Sequence, residues 1–85
     1  MAAYKIFFKN SVWKDLKSIP DKDLTTILAC IESIGANPRR SGCKKLSGQE
    51  KYRLRYGRYR ILYTVQDDEL IIWIVKVGHR KDVYS

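Results

Sequence analysis

The sequence predicts an α+β fold in which an N-terminal strand and two antiparallel helices are followed by a three-stranded antiparallel meander. The hydrophobic period is 3.6 residues between positions 10 and 35 and two residues after position 42, and short turn sequences separate the segments. We expect a four-stranded sheet with both helices on one face. Because 85 residues suffice for one domain with a small core, residues 1–85 are expected to form a single domain.

The first half of the chain contains the predicted first strand and the helix pair. Residues 4–9 are rich in β-forming side chains. The first helix can be capped by Asn10 or Ser11 and ends before Pro20, and the second stops at Gly35. Their apolar faces consist of Val12, Trp13, Leu16 and Ile19, and of Leu24, Ile27, Leu28, Ile31 and Ile34. The tight connection between them predicts an antiparallel hairpin, with a loop over residues 36–42.

The second half contains the three predicted strands of the meander. Residues 56–59 indicate a two-residue turn of type II′ with the glycine first, which places Arg55 opposite Arg60. One face of the hairpin then collects Tyr52, Leu54, Tyr56, Tyr59, Ile61 and Tyr63. The other collects Arg53, Arg55, Arg60 and Leu62. After a turn at residues 66–69, residues 70–77 are apolar on both faces, as expected of a central strand.

The positive charge is concentrated in one third of the chain. The net charge is +8, from 17 basic and 9 acidic residues. Nine basic residues lie between positions 39 and 60 with Glu50 as the sole acid, while the rest of the chain balances. Repulsion among these like charges opposes folding, so the segment is expected to bind an anionic partner. Nucleic acid is the first candidate. The residues predicted to bind it are Lys44, Lys45, Lys51, Arg53, Arg58, Arg39 and Arg40.

A smaller arginine constellation within this segment points to a phosphate site. Like charges directly opposed across two strands are destabilising, so selection for stability alone would seldom place Arg55 across from Arg60 with Arg53 alongside. Guanidinium groups bind phosphate in bidentate geometry. Shortly after the last strand, where site residues commonly lie, the chain adds three further candidates, His79, Arg80 and Tyr84.

Several classes of protein are disfavoured by the composition. The apolar runs fall short of the ~20 residues of a membrane span, and residues 1–5 lack the features of a signal peptide. Cys30 and Cys43, with a single histidine, are too few for structural zinc and are expected to be reduced thiols. The sequence also lacks the carboxylate cluster of a two-metal nuclease. We therefore expect a cytoplasmic protein without membrane association, metal or cofactor.

The motifs taken together resemble the RelE family of bacterial and archaeal toxins over nearly the whole chain. The segments that carry the resemblance are Asn37-Pro38-Arg39, Lys44-Lys45-Leu46-Ser47-Gly48, Tyr52-Arg53-Leu54-Arg55, Tyr59-Arg60-Ile61-Leu62-Tyr63, and Val77-Gly78-His79-Arg80 followed by Val83-Tyr84. The resemblance implies the toxin of a type II toxin–antitoxin system. It further implies an endoribonuclease that cleaves messenger RNA in the ribosomal decoding site and is silenced by a co-expressed, RelB-like antitoxin.

The resemblance also implies roles for individual residues. The family's basic pair falls on Arg53 and Arg55, and its transition-state arginine falls on Arg60. Its general-acid arginine falls on Arg80, and its base-stacking tyrosine falls on Tyr84. In the implied reaction the ribose 2′-OH attacks its own 3′-phosphate without a metal, and converging arginines stabilise the charge that develops.

The candidate general base departs from the family pattern. The best-studied arrangement has lysines where this chain has Arg53 and Arg55, and the second lysine is the proposed base. Arginine stays protonated, so Arg55 is a poor proton acceptor. The unperturbed pKa of histidine suits proton transfer near neutrality, which makes His79 a candidate base.

Two other functions stay open at this stage. A ParE-like toxin of the same fold and basicity would inhibit DNA gyrase, and a non-catalytic RNA-binding module would use the arginines to grip phosphates. For the toxin functions, we expect an antitoxin with acidic residues and an amphipathic helix or strand. Its apolar contacts are predicted to be the side chains that share the arginine face, Leu62, Ile71, Trp73 and Val75.

Overall fold

Two helices and five strands form within the residues that the computed structural model describes, which are 3–46 and 50–79. In chain order they are β1 (Lys5–Phe8), α1 (Asn10–Lys17), α2 (Asp21–Ala36), β2 (Cys43–Lys45), β3 (Lys51–Tyr56), β4 (Tyr59–Gln66) and β5 (Ile71–His79). Two predicted site residues, Arg80 and Tyr84, lie outside the described part of the chain. Neither of these helices has the length and apolar composition needed to cross a membrane.

The strands form one sheet in the order β1-β5-β4-β3-β2. β1 is parallel to β5, and the other neighbours are antiparallel. The predicted α+β fold is confirmed, but the sheet has five strands where four were predicted. The strand that sequence reasoning missed is β2, because three residues are too few for a periodic pattern. Its two lysines are typical of a short edge strand.

The β3–β4 hairpin has the predicted register. Arg55 lies opposite Arg60, Leu54 opposite Ile61, and Tyr56 opposite Tyr59. Gly57 has a φ of 57°, as the first position of a type II′ turn requires. The predicted division into a tyrosine face and an arginine face is therefore confirmed.

The helices pack on the tyrosine face of the sheet. α1 contributes Val12 and Leu16 to the core, and α2 contributes three isoleucines at positions 27, 31 and 34. Their partners in the sheet are Tyr52, Leu54, Ile61, Tyr63, Val65, Ile72, Ile74 and Val77. Neither helix of the described residues contributes to the opposite face of the sheet, which carries the arginines. We call it the open sheet face.

A β-bulge in the last strand exchanges the two faces of β5. The register against β4 shifts so that Val75 is an extra residue. Before the bulge, Trp73 pairs with Thr64 on the open sheet face. After it, Val77 is fully buried against the helices, while Gly78 lies opposite Arg60 on the open sheet face.

The bulged half of β5 is held by α1. β1 pairs with β5 only as far as Ile74, and beyond it Asp15 of α1 satisfies the strand edge. One Asp15 carboxylate oxygen accepts a hydrogen bond from the Val77 backbone N–H at 3.3 Å, and the other binds Lys76 Nζ at 3.1 Å. A polar side chain thus occupies an edge that would otherwise be open to another strand.

Candidate functional site

The pairing register brings the predicted arginines together on the open sheet face. Arg55 and Arg60 are direct cross-strand partners, and Arg53 lies two residues from Arg55 on the same face of β3. We call these three residues the arginine cluster. Lys44 of β2 lies opposite Arg53 and extends the positive charge to the sheet edge. Local turn geometry therefore assembles the arginine cluster from β3 and β4, and the pairing of β2 adds Lys44 to the cationic surface.

Arg60 lies at the β4 end of this surface and is 6% exposed. Its partner on β5 is Gly78, which adds no side chain to that row. Burying a guanidinium group is unfavourable unless charges or dipoles surround it, so a buried arginine is held in a defined position. Arg55, by contrast, is exposed. The pair combines one fixed and one accessible guanidinium group, which suits a bound phosphate.

Most of the charge on this surface is not neutralised from within the described chain. In residues 3–46 and 50–79, no acidic side chain lies within ion-pair distance of Lys44, Arg53 or Arg55. The Arg53 Nε atom is buried without a hydrogen-bond partner among the same residues. The surface therefore carries an excess positive potential that an anionic ligand would lower.

Two of the predicted nucleic-acid contacts lie elsewhere, in an ion-pair network. Arg39 binds Asp67 at 2.7 Å and Glu50 at 2.8 Å, and its guanidinium lies 5.3 Å from the Tyr52 ring centroid. Hydrogen bonding from Arg39 lowers the pKa of Asp67 to about 2. Lys45 pairs with Glu50 at 2.7 Å, and its cross-strand partner is the buried Tyr52. The structure does not bring Arg39 and Lys45 to the arginine cluster.

The remaining predicted contacts occupy three different places. Lys51 lies on the open sheet face, two residues from Arg53. Arg58 is exposed in the β3–β4 turn. Arg40 is half-buried in the loop before β2, and its backbone N–H donates to the Asn37 carbonyl. Of these three, Lys51 alone shares the strand and face of the arginine cluster.

The structure places His79 on the helix face of the sheet. It lies opposite Tyr59, and the two rings meet edge to face with centroids 6.1 Å apart. The Tyr59 hydroxyl donates to Asp23 of α2 at 3.1 Å, and burial raises the pKa of this tyrosine. Since Arg60 belongs to the opposite face, the sheet separates it from His79. The role of His79 as general base stays a prediction.

Sequence reasoning missed a groove beside the arginine cluster. It has a volume of about 310 Å³ and is lined by Lys9, Lys51, Thr64, Trp73 and Val75. Trp73 and Val75 carry a sequence signal, because they belong to the apolar group expected on this face. Lys9 carries none, because it enters the groove only through the parallel pairing of β1 with β5.

Sequence comparisons agree with the motifs. A family model described as the ParE toxin of the type II toxin–antitoxin system parDE matches residues 6–84. Toxin RelE3 of Methanocaldococcus jannaschii is 35% identical over 86 residues, covering 95% of this chain and 96% of that protein.

Structural comparisons point the same way. The RelB–RelE antitoxin–toxin complex from Methanococcus jannaschii includes a chain that is 31% identical with a TM-score of 0.74, covering 93% of this chain and 95% of that one. The toxin–antitoxin complex RelBE2 from Mycobacterium tuberculosis includes a chain that is 26% identical with a TM-score of 0.80, covering 92% of this chain and 99% of that one. The chain therefore belongs to the RelE/ParE superfamily of toxins from type II toxin–antitoxin systems.

Proposed function

We propose that this toxin is a ribosome-dependent endoribonuclease that cleaves messenger RNA by metal-free attack of a ribose 2′-OH on the adjacent phosphate. The observation that supports it is the arginine cluster, in which Arg55 and Arg60 are directly opposed and Arg53 lies beside them. Such an arrangement opposes folding and favours an anion. The named RelE relatives support the same function.

The proposed reaction transfers a phosphoryl group from a 5′-oxygen to a 2′-oxygen within one strand of RNA. The 2′-oxygen forms a bond to the phosphorus of its own 3′-phosphate and loses its proton. The bond from phosphorus to the 5′-oxygen breaks, and that oxygen takes up a proton. The products are a 2′,3′-cyclic phosphate and a 5′-hydroxyl end, so atoms and charge balance without a redox step.

Each member of the arginine cluster has a proposed task in this reaction. Arg60, fixed by burial, donates to the phosphate oxygens on which negative charge grows in the transition state. Arg53 and Arg55 bind the phosphates of the strand. Arg80 as general acid and Tyr84 as stacking platform complete the site in this proposal, on the strength of the family resemblance.

Electrostatic stabilisation takes the place of a dedicated base in the proposed mechanism. An arginine such as Arg55 is a poor proton acceptor, and His79 lies on the other face of the sheet from Arg60. Cations beside the 2′-OH stabilise the alkoxide that forms during attack, so water can accept the proton. A large catalytic contribution from His79 would contradict this part of the proposal.

The proposed partner is a RelB-like antitoxin, and the proposed location is the cytoplasm. Both comparison structures described above are toxin–antitoxin complexes by name. An acidic segment would neutralise the arginine cluster, while apolar anchors would pack on the exposed parts of the open sheet face, where Phe7 is 41% exposed. Because apolar contacts survive ionic screening, the complex should dissociate slowly even at high salt.

The test is messenger cleavage in a reconstituted translation system, mapped by primer extension. Arg60→Ala should lower the cleavage rate by about 10²- to 10³-fold, the usual effect of removing one preorganised donor to a transition state. Ribosome binding should change little. Lys14→Ala, which removes an exposed cation from α1, is the control and should cleave like the wild type. Undiminished cleavage by Arg60→Ala would contradict the proposal.

The second candidate is inhibition of DNA gyrase, which the ParE name of the matching family model favours. A supercoiling assay with purified gyrase separates the two functions. Inhibition of supercoiling without messenger cleavage would establish the alternative. A non-catalytic RNA-binding module would instead bind ribosomes without either activity.

A further inference from the structure

One aromatic ring, Trp73, and two lysines line the groove on the open sheet face. Trp73 and Phe7 are cross-strand neighbours in β5 and β1, with ring centroids 5.2 Å apart at an interplanar angle of 32°. Phe7 is 41% exposed, and Trp73 lines the groove together with Lys9 and Lys51. Trp73 itself is half-buried. An aromatic ring that lines a groove beside cations can stack an unpaired base while the cations bind its phosphate.

The groove is continuous with the arginine cluster along β3. Lys51, Arg53 and Arg55 are successive residues of the same face of this strand. Since each two-residue step of a strand is roughly 6.6–6.8 Å, the three cations form a track about 13 Å long. One end of the track is the Arg55–Arg60 pair, and the other is the groove that Trp73 lines. Regularly spaced cations suit the repeating phosphates of an extended strand.

We propose that this groove is a second nucleotide subsite, in which an unpaired RNA base near the cleaved phosphate stacks on Trp73 while Lys51 and Lys9 bind its phosphate. The inference rests on the proposed function, because it extends the same RNA strand beyond the arginine cluster. The lysines of the groove continue the row of cations on β3 that leads to the Arg55–Arg60 pair, so one RNA strand can reach both places. Single-stranded RNA contacts the aromatic ring through a base and the lysines through phosphates.

Tryptophan fluorescence provides a direct readout, because Trp13 and Trp73 are the only two tryptophans in the chain. Trp13→Phe leaves Trp73 as the sole reporter. The probe is a short single-stranded RNA with 2′-O-methyl riboses, which lack the attacking hydroxyl. At low salt, this RNA should quench Trp73, and the quenching should saturate together with the fluorescence anisotropy of labelled RNA.

Substitution of Trp73 should then weaken binding of the same RNA. Trp73→Leu, which keeps an apolar side chain but removes the aromatic ring, is expected to lower affinity by about 5- to 100-fold, and Trp73→Phe should restore most of it. Lys51→Ala should reduce the log–log salt slope by about 0.7, which keeps the proposal testable even if Trp73→Leu folds poorly. Trp13→Leu, at a 51% exposed position of α1, is the matched control and should bind like the wild type.

Two results would overturn the subsite, namely wild-type RNA affinity of Trp73→Leu and absence of quenching in Trp13→Phe. If Trp73→Leu keeps its RNA affinity but no longer binds the purified antitoxin, the groove is a protein-docking surface. Failure of the proposed function is distinct from these results. It would appear as quenching and RNA binding without any messenger cleavage, whereas failure of the subsite would appear as cleavage without quenching.

Discussion

Because Arg55 lies opposite Arg60, we predict that Arg55→Gln makes the fold more stable while impairing the proposed cleavage of messenger RNA. Tyr56 and Tyr59 close the hairpin turn, so the next pair along the strands is a non-hydrogen-bonded one, in which side chains approach most closely. Arg60 is buried and Arg55 is exposed, so Arg55 can be changed with little loss of packing. Glutamine keeps a polar side chain, shortens its aliphatic part and removes its charge.

The size of the gain follows from the geometry. Cα atoms of a non-hydrogen-bonded pair are about 4.5 Å apart, and long side chains can splay their guanidinium groups to about 7 Å. At an effective dielectric constant of about 40–80, two unit charges at that separation repel by about 0.6–1.2 kcal/mol. Allowing for methylene contacts that Arg55 loses, we expect a gain of about 0.5 kcal/mol. In a domain of this size the melting temperature should rise by about 2–4 °C.

Urea and thermal unfolding at low and at ~1 M salt measure this gain. The Debye length falls to about 3 Å at 1 M, so the advantage of Arg55→Gln should disappear there. Arg58→Gln makes the same charge change in the exposed turn, outside the cross-strand pairs of β3 and β4, and should raise stability by less than Arg55→Gln does. An Arg55→Gln protein that is less stable than the wild type at low salt, or whose gain persists at 1 M, would refute the reasoning.

Three further predictions concern the core, the ion-pair network and the candidate base. Tyr63 is fully buried, and its hydroxyl donates a hydrogen bond to the Pro38 carbonyl at 2.5 Å. Tyr63→Phe should therefore lower the free energy of unfolding, measured in urea, by about 1–3 kcal/mol. An unchanged free energy of unfolding would mean that water replaces the hydrogen bond. Hydrogen bonding from Arg39 lowers the pKa of Asp67 to about 2, so the stabilisation is complete above the ordinary pKa near 4 and is lost as pH falls through about 2. The unfolding free energies of the wild type and Asp67→Asn should therefore converge between those pH values, and a constant difference would contradict this. His79→Gln should lose less than tenfold in single-turnover cleavage and keep its pH profile, whereas a loss of about 10²- to 10⁴-fold would establish His79 as the base.

The arginine cluster could be predicted because its geometry is local. A two-residue turn with Gly57 first determines which residues of β3 and β4 lie opposite each other, and alternation then assigns every side chain to a face. The helices follow equally from the sequence, since a 3.6-residue apolar period specifies one buried face. These features depend on contacts between residues close in the chain, so the sequence by itself determined them.

The position of His79 was decided by tertiary structure. Simple alternation along β5 would put it on the same face as Trp73, but the bulge at Val75 moves it to the helix face. The bulged segment is held from α1, where Asp15 binds the backbone N–H of Val77, a residue 62 positions away in the chain. A bulge that is stabilised by so distant a residue cannot be predicted from the local hydrophobic pattern.

Contacts between residues far apart in the chain also explain where the observed site differs from the predicted one. In the sequence, Arg39 and Lys45 belong to one basic segment. In the structure, Arg39 forms ion pairs with Asp67, in the turn after β4, and with Glu50, just before β3. Lys45 forms an ion pair with Glu50. The groove forms only when the parallel pairing of β1 with β5 brings Lys9 beside Trp73. Sequence by itself determined which residues can bind phosphate, because charge and strand alternation are properties of the chain. Tertiary structure decided which of them share a surface, because ion pairs and strand order depend on contacts between residues far apart in sequence.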